Sequence, residues 1–218
     1  MNSLSDTEIK NGWQLLFDGD TLHGWHGYNR NDIGQGWQVT ETTLHFDGSP
    51  KEEASKTVCN DIVTDAIFPD FHLKIDWKIS VNGNSGIMFL VQEDQQYRTP
   101  WLTGPEMQVL DDEGHQDGQL EKHRAGDLYD LIAGSTKSVK PVGEWNSVDI
   151  ILENSRLVFI QNDVEIVSTV LWDDDWNKLV AGSKFKDMPD FAKSGHGRIA
   201  LQDHGGPVWF RNIKIRPL

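Results

Sequence analysis

Phe71-His72-Leu73-Lys74-Ile75-Asp76-Trp77-Lys78-Ile79 alternates apolar and polar residues without a break. Successive side chains on a strand point to opposite faces. Phe71, Leu73, Ile75, Trp77 and Ile79 therefore make an apolar face, and His72, Lys74, Asp76 and Lys78 a wet one. This predicts a half-buried strand of an antiparallel sheet. Further along, Ile87-Met88-Phe89-Leu90-Val91 is apolar on both faces and predicts a central strand covered from both sides. The pairs Trp37–Thr40 with Thr43–Phe46, and Val148–Leu152 with Leu157–Ile160, each flank a tight turn and predict hairpins.

The rest of the chain has the same grain. Gly12 to Asp20 reads as a strand ending in an Asp-Gly turn, and Leu22 and Trp25 follow among glycines. Asp61–Thr64, Val164–Val167, Arg198–Leu201 and Val208–Ile215 read as further short strands. Asp173 to Val180 is the one segment that reads as a helix, with acidic residues at its start and Gly182 as a stop. Short strands with turn signals about every ten residues indicate an all-β jelly-roll sandwich of two antiparallel sheets with one short helix. Residues 1–11 read as a loosely packed leader and 12–218 as a single domain. The loops at 47–60, 92–104 and 112–127 are long for a compact domain, and such loops tend to carry function.

Composition narrows the function. With 218 residues, nine Trp, nine Phe and four Met, the chain suits one aromatic-rich domain. A net charge of −14 argues against a nucleic-acid partner, because phosphate binding needs a basic patch. No apolar run is long enough to span a membrane. The polar opening Met1-Asn2-Ser3-Leu4-Ser5 does not read as a secretory signal. Cys59 is the one cysteine, so an internal disulfide is excluded; with no sequence-local His beside it, it reads as a spectator.

Gly104-Pro105-Glu106-Met107-Gln108-Val109-Leu110-Asp111-Asp112 is a strand of a different kind. Met107 and Val109 suit a core, while the alternate positions carry Glu106 and Gln108, both poor strand formers. Asn82-Gly83-Asn84-Ser85-Gly86 and Gln202-Asp203-His204-Gly205-Gly206 are polar, glycine-lined strand ends of the same character. The expectation is that all three meet on one face and form the site.

Six stretches, in order, carry a resemblance: Gly12–Trp25, Asn84-Ser85-Gly86-Ile87, Gly104–Asp111, Gly143-Glu144-Trp145-Asn146, Ser183-Lys184-Phe185 and Gly197–Ile215. The last is the most specific, with Gly197-Arg198-Ile199-Ala200-Leu201-Gln202-Asp203-His204-Gly205 followed by Phe210-Arg211-Asn212-Ile213. Together they resemble the 3-keto-disaccharide hydrolase domain family over nearly the whole chain from Gly12. Leu90 departs from the pattern, since members often have Arg there. The resemblance implies a concanavalin A-like sandwich, a carbohydrate substrate and a periplasmic or extracellular location; the residues alone leave the cytoplasm open.

It also implies a chemistry. A ketone at C3 acidifies the proton on C2, so a base can remove it and the C1 substituent can leave from the enolate. Water then adds. Such a route needs a base, a donor to the enolate oxygen and an acid for the leaving group. By type, Glu106 and His204 are the acid/base candidates, with Asp111 orienting a histidine or acting directly. Asn84, Gln108, Gln202 and Arg211 suit binding of hydroxyls or enolate, and Tyr129 and Trp145 suit stacking on a sugar ring. Each has a structural alternative: Arg211 can pair with Asp203 or Asp111, Trp145 can be core, and His115 and His123 can be solvated loop residues. No cofactor or metal is indicated, because neither Asp111-Asp112-Glu113 nor Asp173–Asp175 has the spacing of a calcium loop. Two other classes stay open: an ordinary glycosidase using Glu106 and Asp111 as its carboxylate pair, and a carbohydrate-binding module without catalysis.

Overall fold

The computed structural model describes residues 1–48 and 60–218. Cys59 and most of the 47–60 loop lie outside the described residues. Thirteen strands are formed among the described residues: β1 (Gln14–Leu15), β2 (Trp25–Gly27), β3 (Trp37–Thr40), β4 (Thr43–Phe46), β5 (Ile62–Thr64), β6 (Phe71–Ile79), β7 (Asn84–Val91), β8 (Glu106–Leu110), β9 (Asn146–Glu153), β10 (Arg156–Gln161), β11 (Val164–Val170), β12 (Arg198–Leu201) and β13 (Val208–Pro217). They make two antiparallel sheets. The larger runs β11-β10-β9-β6-β13-β4-β3 with β1 added on β13, and the smaller runs β2-β5-β12-β7-β8. The predicted two-sheet sandwich is therefore the fold.

The alternating stretch became the centre of the larger sheet. β6 pairs with β13 on one side and β9 on the other, and its five inward residues, Phe71 to Ile79, are at most 2% exposed. They meet Ile87, Phe89, Met107 and Val109 of the smaller sheet in one continuous core. Burying a side chain of this size is worth roughly 1.5–3 kcal/mol. Both predicted hairpins form. Each turns on two residues with positive φ, Glu41 and Thr42 in one and Asn154 and Ser155 in the other, the backbone that suits the twist of tight hairpins.

The predicted helix forms as α2 (Asp174–Ala181). Asp173 Oδ1 caps it by accepting from the Trp176 N–H at 2.7 Å, and Gly182 follows its end. A second helix, α1 (Asp6–Lys10), was not expected. Ser5 and Glu8 cap it reciprocally. The segment before β1 is also tied down rather than loose: Asn2 exchanges two hydrogen bonds with Asn212 of β13, and Glu8 pairs with Lys214.

The outer face of the smaller sheet carries an apolar cluster of its own. Met88 and Val91 of β7, Ala200 of β12, Val63 and Tyr28 form a second buried cluster there, roofed by Tyr97 and Trp101. β7 reaches this pattern through a bulge at Leu90, where φ is +56°. The extra residue sends Phe89 and Leu90 both inward, so Leu90 belongs to the core and not to the outer face. Glycine at 197 permits the bulge, because a β-carbon there would stand 2.1 Å from the Leu90 carbonyl carbon. No helix among the described residues is long and apolar enough to cross a membrane.

Candidate active site

The three polar strand ends do meet. On the outer face of the smaller sheet, a cleft of about 230 Å³ is lined by Asn84, Glu106, Gln108, Gln202 and His204, all expected, together with Tyr129. β7 and β8 set its floor through their register. Met88 is paired with Glu106 and Gly86 with Gln108, so both polar side chains of β8 emerge on the outer face beside β7. The missing side chain at Gly86 leaves room for the Glu106 carboxyl. Gln108 Nε2 donates to Asn84 Oδ1 at 3.1 Å, which leaves the Asn84 amide donors and the Gln108 carbonyl for a ligand.

The third strand end is drawn in by backbone bonds. Ser85 Oγ donates to the Gln202 carbonyl at 2.8 Å, and the Gln202 N–H donates to the Gly86 carbonyl at 3.0 Å. Ser85 thus serves the site from behind. His204 follows on an exposed turn in which the Gly205 N–H donates to Asp203 Oδ1 at 2.8 Å. Its ring stands edge-on to His115 at 6.3 Å between centroids. His115 Nδ1 accepts from the Asp117 N–H at 3.2 Å, so its proton is assigned to Nε2.

Glu106 is the unusual group. It is 6% exposed, and its Oε1 has no hydrogen-bond partner among the described residues. Burial pushes its carboxyl up to about 8; the Lys184 ammonium pulls the other way, and Asp61 adds to the rise. A buried carboxyl without partners is costly, which makes it a candidate for chemistry rather than packing. Beside it, burial and then the charges of Glu106, Asp117 and Asp130 push the Tyr129 phenol up to about 12. Tyr129 is therefore a neutral donor. Its ring lies 4.4 Å from that of His123, whose Nε2 is 3.0 Å from Asp130 Oδ1, so His123 is a packed support and not a solvated loop residue.

Three expected site residues are elsewhere. Asp111 continues the parity of Met107 and Val109, not that of Glu106 and Gln108. Its carboxylate accepts from the N–H groups of Asn82, Glu113 and Gly114 at 2.8, 3.2 and 3.0 Å. It borders a separate cavity of about 480 Å³ beside Ile79 and Val139, and it neither faces the cleft nor orients a histidine side chain. Trp145 and Arg211 belong to the outer face of the larger sheet, across the whole core. Arg211 lies opposite Asp76 in the β13–β6 register, with Nε 3.2 Å from Asp76 Oδ2, and its guanidinium stacks 4.0 Å over Trp145. Neither Asp203 nor Asp111 is its ion-pair partner in this geometry.

Three lining residues were missed: Trp101, Asp117 and Lys184. Trp101 and Asp117 come from the long loops flagged as carriers of function, each within a short 3₁₀ turn. Lys184 opens the turn after α2 and lies in the Ser183-Lys184-Phe185 stretch that carried part of the resemblance. Among the described residues, no group of three or more His, Cys, Asp or Glu side chains is placed to hold a metal.

Comparison with known proteins finds relatives over the whole length of this chain. A 3-keto-disaccharide hydrolase of Bacteroides thetaiotaomicron is 33% identical over all of this chain and 82% of its own length. The crystal structure of a glycosyl hydrolase-type protein from Parabacteroides distasonis superposes with a TM-score of 0.91 at 34% identity, covering 100% of this chain and 99% of that one. A carbohydrate-binding module from Bacillus subtilis shares the fold alone, at 13% identity and a TM-score of 0.54 over 88% of this chain and 95% of the module. Residues 12–216 match the 3-keto-alpha-glucoside-1,2-lyase-like domain, and the chain belongs to that family.

Proposed function

We propose that the cleft cleaves 3-keto-glycosides, 3-keto-disaccharides among them, by elimination and hydration. By family, and through its hydrolase relative, the chain is a carbohydrate-active hydrolase of the glycoside-hydrolase type. The observation that carries the finer reading is Glu106: a buried carboxyl whose Oε1 has no hydrogen-bond partner among the described residues, raised to about 8, on the floor of a cleft that also presents amides, rings, Asp117 and Lys184. A base poised near neutrality suits removal of a proton that a ketone has already acidified. His204, exposed at the rim, suits the proton delivered to the leaving oxygen. Asn84, Gln108 and Gln202 present amides to sugar hydroxyls, and Tyr129 and Trp101 present ring faces. At about 230 Å³, the cleft is smaller than the roughly 300–1,000 Å³ of pockets that enclose drug-sized ligands, and fits one sugar ring rather than an enclosed oligosaccharide.

An ordinary glycosidase needs two carboxylates across the scissile bond. Asp111 cannot be the second of them, although Asp117 is a carboxyl on the lining. One experiment separates the classes. The protein is given a 3-keto-disaccharide and its unoxidised parent. Cleavage of the keto sugar alone is the expected result. Cleavage of the parent points to a two-carboxylate glycosidase, and binding without cleavage of either points to a carbohydrate-binding module.

A further inference from the structure

Lys184 is anchored through its backbone and both chain neighbours. Its backbone N–H donates to Asp130 Oδ2 at 2.6 Å. On one side, Ser183 Oγ donates to the Val180 carbonyl at 2.8 Å and accepts from the Phe185 N–H at 3.1 Å. On the other, Phe185 is buried and stacks on Phe191 at 3.8 Å. The side chain then reaches over the cleft wall, with Nζ 4.0 Å from the centroid of the Tyr129 ring and 5.6 Å from that of Trp101. Unlike Lys74, Lys178 and Lys214, it makes no ion pair within 4.0 Å among the described residues. A cation pinned at its base and resting on an aromatic wall, with the carboxyls of Glu106, Asp117 and Asp130 near it but none paired with it within 4.0 Å among the described residues, is arranged to meet charge that arrives with the substrate or develops on it.

The reaction proposed above develops such a charge in an unfavourable place. The lining already carries the carboxyls of Glu106 and Asp117, and the whole chain has a net charge of −14. Arg211, one of the four residues expected to hold hydroxyls or the enolate, is on the far sheet. Among the described residues, Lys184 is the one lysine or arginine on the lining.

We propose that the Lys184 ammonium is the cationic donor that stabilises the enolate oxygen at C3, acting opposite Glu106. This rests on the 3-keto-glycoside reading of the cleft. In the first step the C2–H bond breaks, the proton passes to the Glu106 carboxylate, a C2–C3 double bond forms, and the carbonyl π pair moves onto the C3 oxygen beside Lys184. In the second, that pair re-forms the carbonyl, the double bond shifts to C1–C2, the C1–O bond breaks, and the leaving oxygen takes a proton from His204. Water then adds across C1–C2, its oxygen to C1 and a proton to C2. The amine forms no covalent bond. The same position has a second consequence: Lys184 is the cation that pulls the Glu106 carboxyl down against burial, so removing it moves that carboxyl further up.

The test compares Lys184→Met and Lys184→Arg with the unaltered protein on a 3-keto-disaccharide, across pH. For Lys184→Met we expect kcat to fall about 10²–10³-fold, the scale of losing one oxyanion donor, with KM changed far less. We also expect the rising limb of its pH profile to move to higher pH, and Lys184→Arg to recover part of the rate and the position of the limb. A second readout needs no turnover: the pH range over which folding stability declines should extend upward in Lys184→Met and not in Lys184→Arg. A Met variant with unchanged kcat and an unmoved limb, or with only KM altered, overturns the inference. So does a borohydride-trapped adduct on Lys184, which would make the residue an imine former. If the unaltered protein turns over no 3-keto sugar, the functional reading itself fails and takes the inference with it. That result is distinct from turnover that survives in Lys184→Met.

Discussion

The carboxyl of Glu106 occupies the space above Gly86: a β-carbon built at residue 86 would stand 1.8 Å from Glu106 Oε1 and 2.8 Å from its Cγ. The two residues lie on adjacent strands, one step diagonal to each other in the β7–β8 register. The absence of a side chain on β7 thus determines where the carboxyl on β8 can lie. The atoms in the way belong to a side chain that can rotate, so Gly86→Ala is expected to fold. Its Glu106 carboxyl must swing aside. A misplacement of about 1 Å in a reacting group can cost about 10²-fold, and a kcat loss of that order is expected with melting temperature little changed. A crystal structure of the variant together with its kcat checks both halves; full activity with Glu106 displaced would remove the need for this placement.

Glu106→Gln keeps the shape and hydrogen-bonding capacity of the side chain but cannot exchange a proton. General acid–base steps are typically worth about 10²–10⁴-fold, and a kcat loss in that range is expected with KM little altered. In the unaltered protein kcat/KM should rise with pH through about 8, as the carboxylate form becomes populated. Stability runs the other way. The carboxyl ionises at an ordinary 4.5 when unfolded and at about 8 when folded, so the folded state holds its proton longer. Stability is full below pH about 4.5 and falls as pH rises through about 8, with an upper bound of about 5 kcal/mol for the whole change. Glu106→Gln removes that contribution. Denaturant midpoints at pH 5 and pH 9 should diverge in the unaltered protein by more than they do in the variant.

How far the site could be read from sequence depends on which physical signal each residue carries. The β6 alternation fixed its own strand to the residue, because an unbroken period of two has no helical counterpart. Glu106 and Gln108 stood out since strands do not favour them and packing does not explain them. The same alternation separates Asp111 from them: counting from Met107 and Val109 puts it on the other face. Arg211 and Trp145 could not be placed, because a strand pattern says which residues share a face but not which sheet the strand joins. Lys184 and Trp101 enter from 3₁₀ turns whose position depends on long-range packing. Only their membership of a motif stretch or a long loop could have pointed to them.

The buried Asp111 carboxylate accepts two backbone hydrogen bonds in the turn after β8, from Glu113 and Gly114, and one from Asn82 in the turn before β7. Removing its carboxylate leaves those amides without their partner, a loss of about 1–3 kcal/mol. Asp111→Ala is therefore expected to lower the unfolding free energy by that amount while the folded protein keeps a near-normal kcat on a 3-keto-disaccharide. Equilibrium unfolding and turnover, measured on the same preparation, check this. A kcat collapse in a stably folded Asp111→Ala would return the residue to the chemistry.

The elimination route makes one demand that direct displacement at C1 does not: the hydrogen on C2 must leave the substrate. Glu106 holds that proton only until hydration returns one to C2, and its carboxyl lines the cleft, where solvent can exchange it. Turnover of a 3-keto-glycoside in deuterated water should therefore place deuterium at C2 of the released 3-keto sugar. Because a ketone also exchanges slowly by itself, the comparison is with the same sugar incubated without protein and with Glu106→Gln, both of which should incorporate far less in the same time. A substrate carrying deuterium at C2 adds a rate test: if proton removal limits kcat, the labelled substrate turns over more slowly in the unaltered protein. Complete retention of the C2 hydrogen during turnover, together with no slowing by deuterium at C2, would falsify elimination and leave Glu106 as a nucleophile or a base toward water.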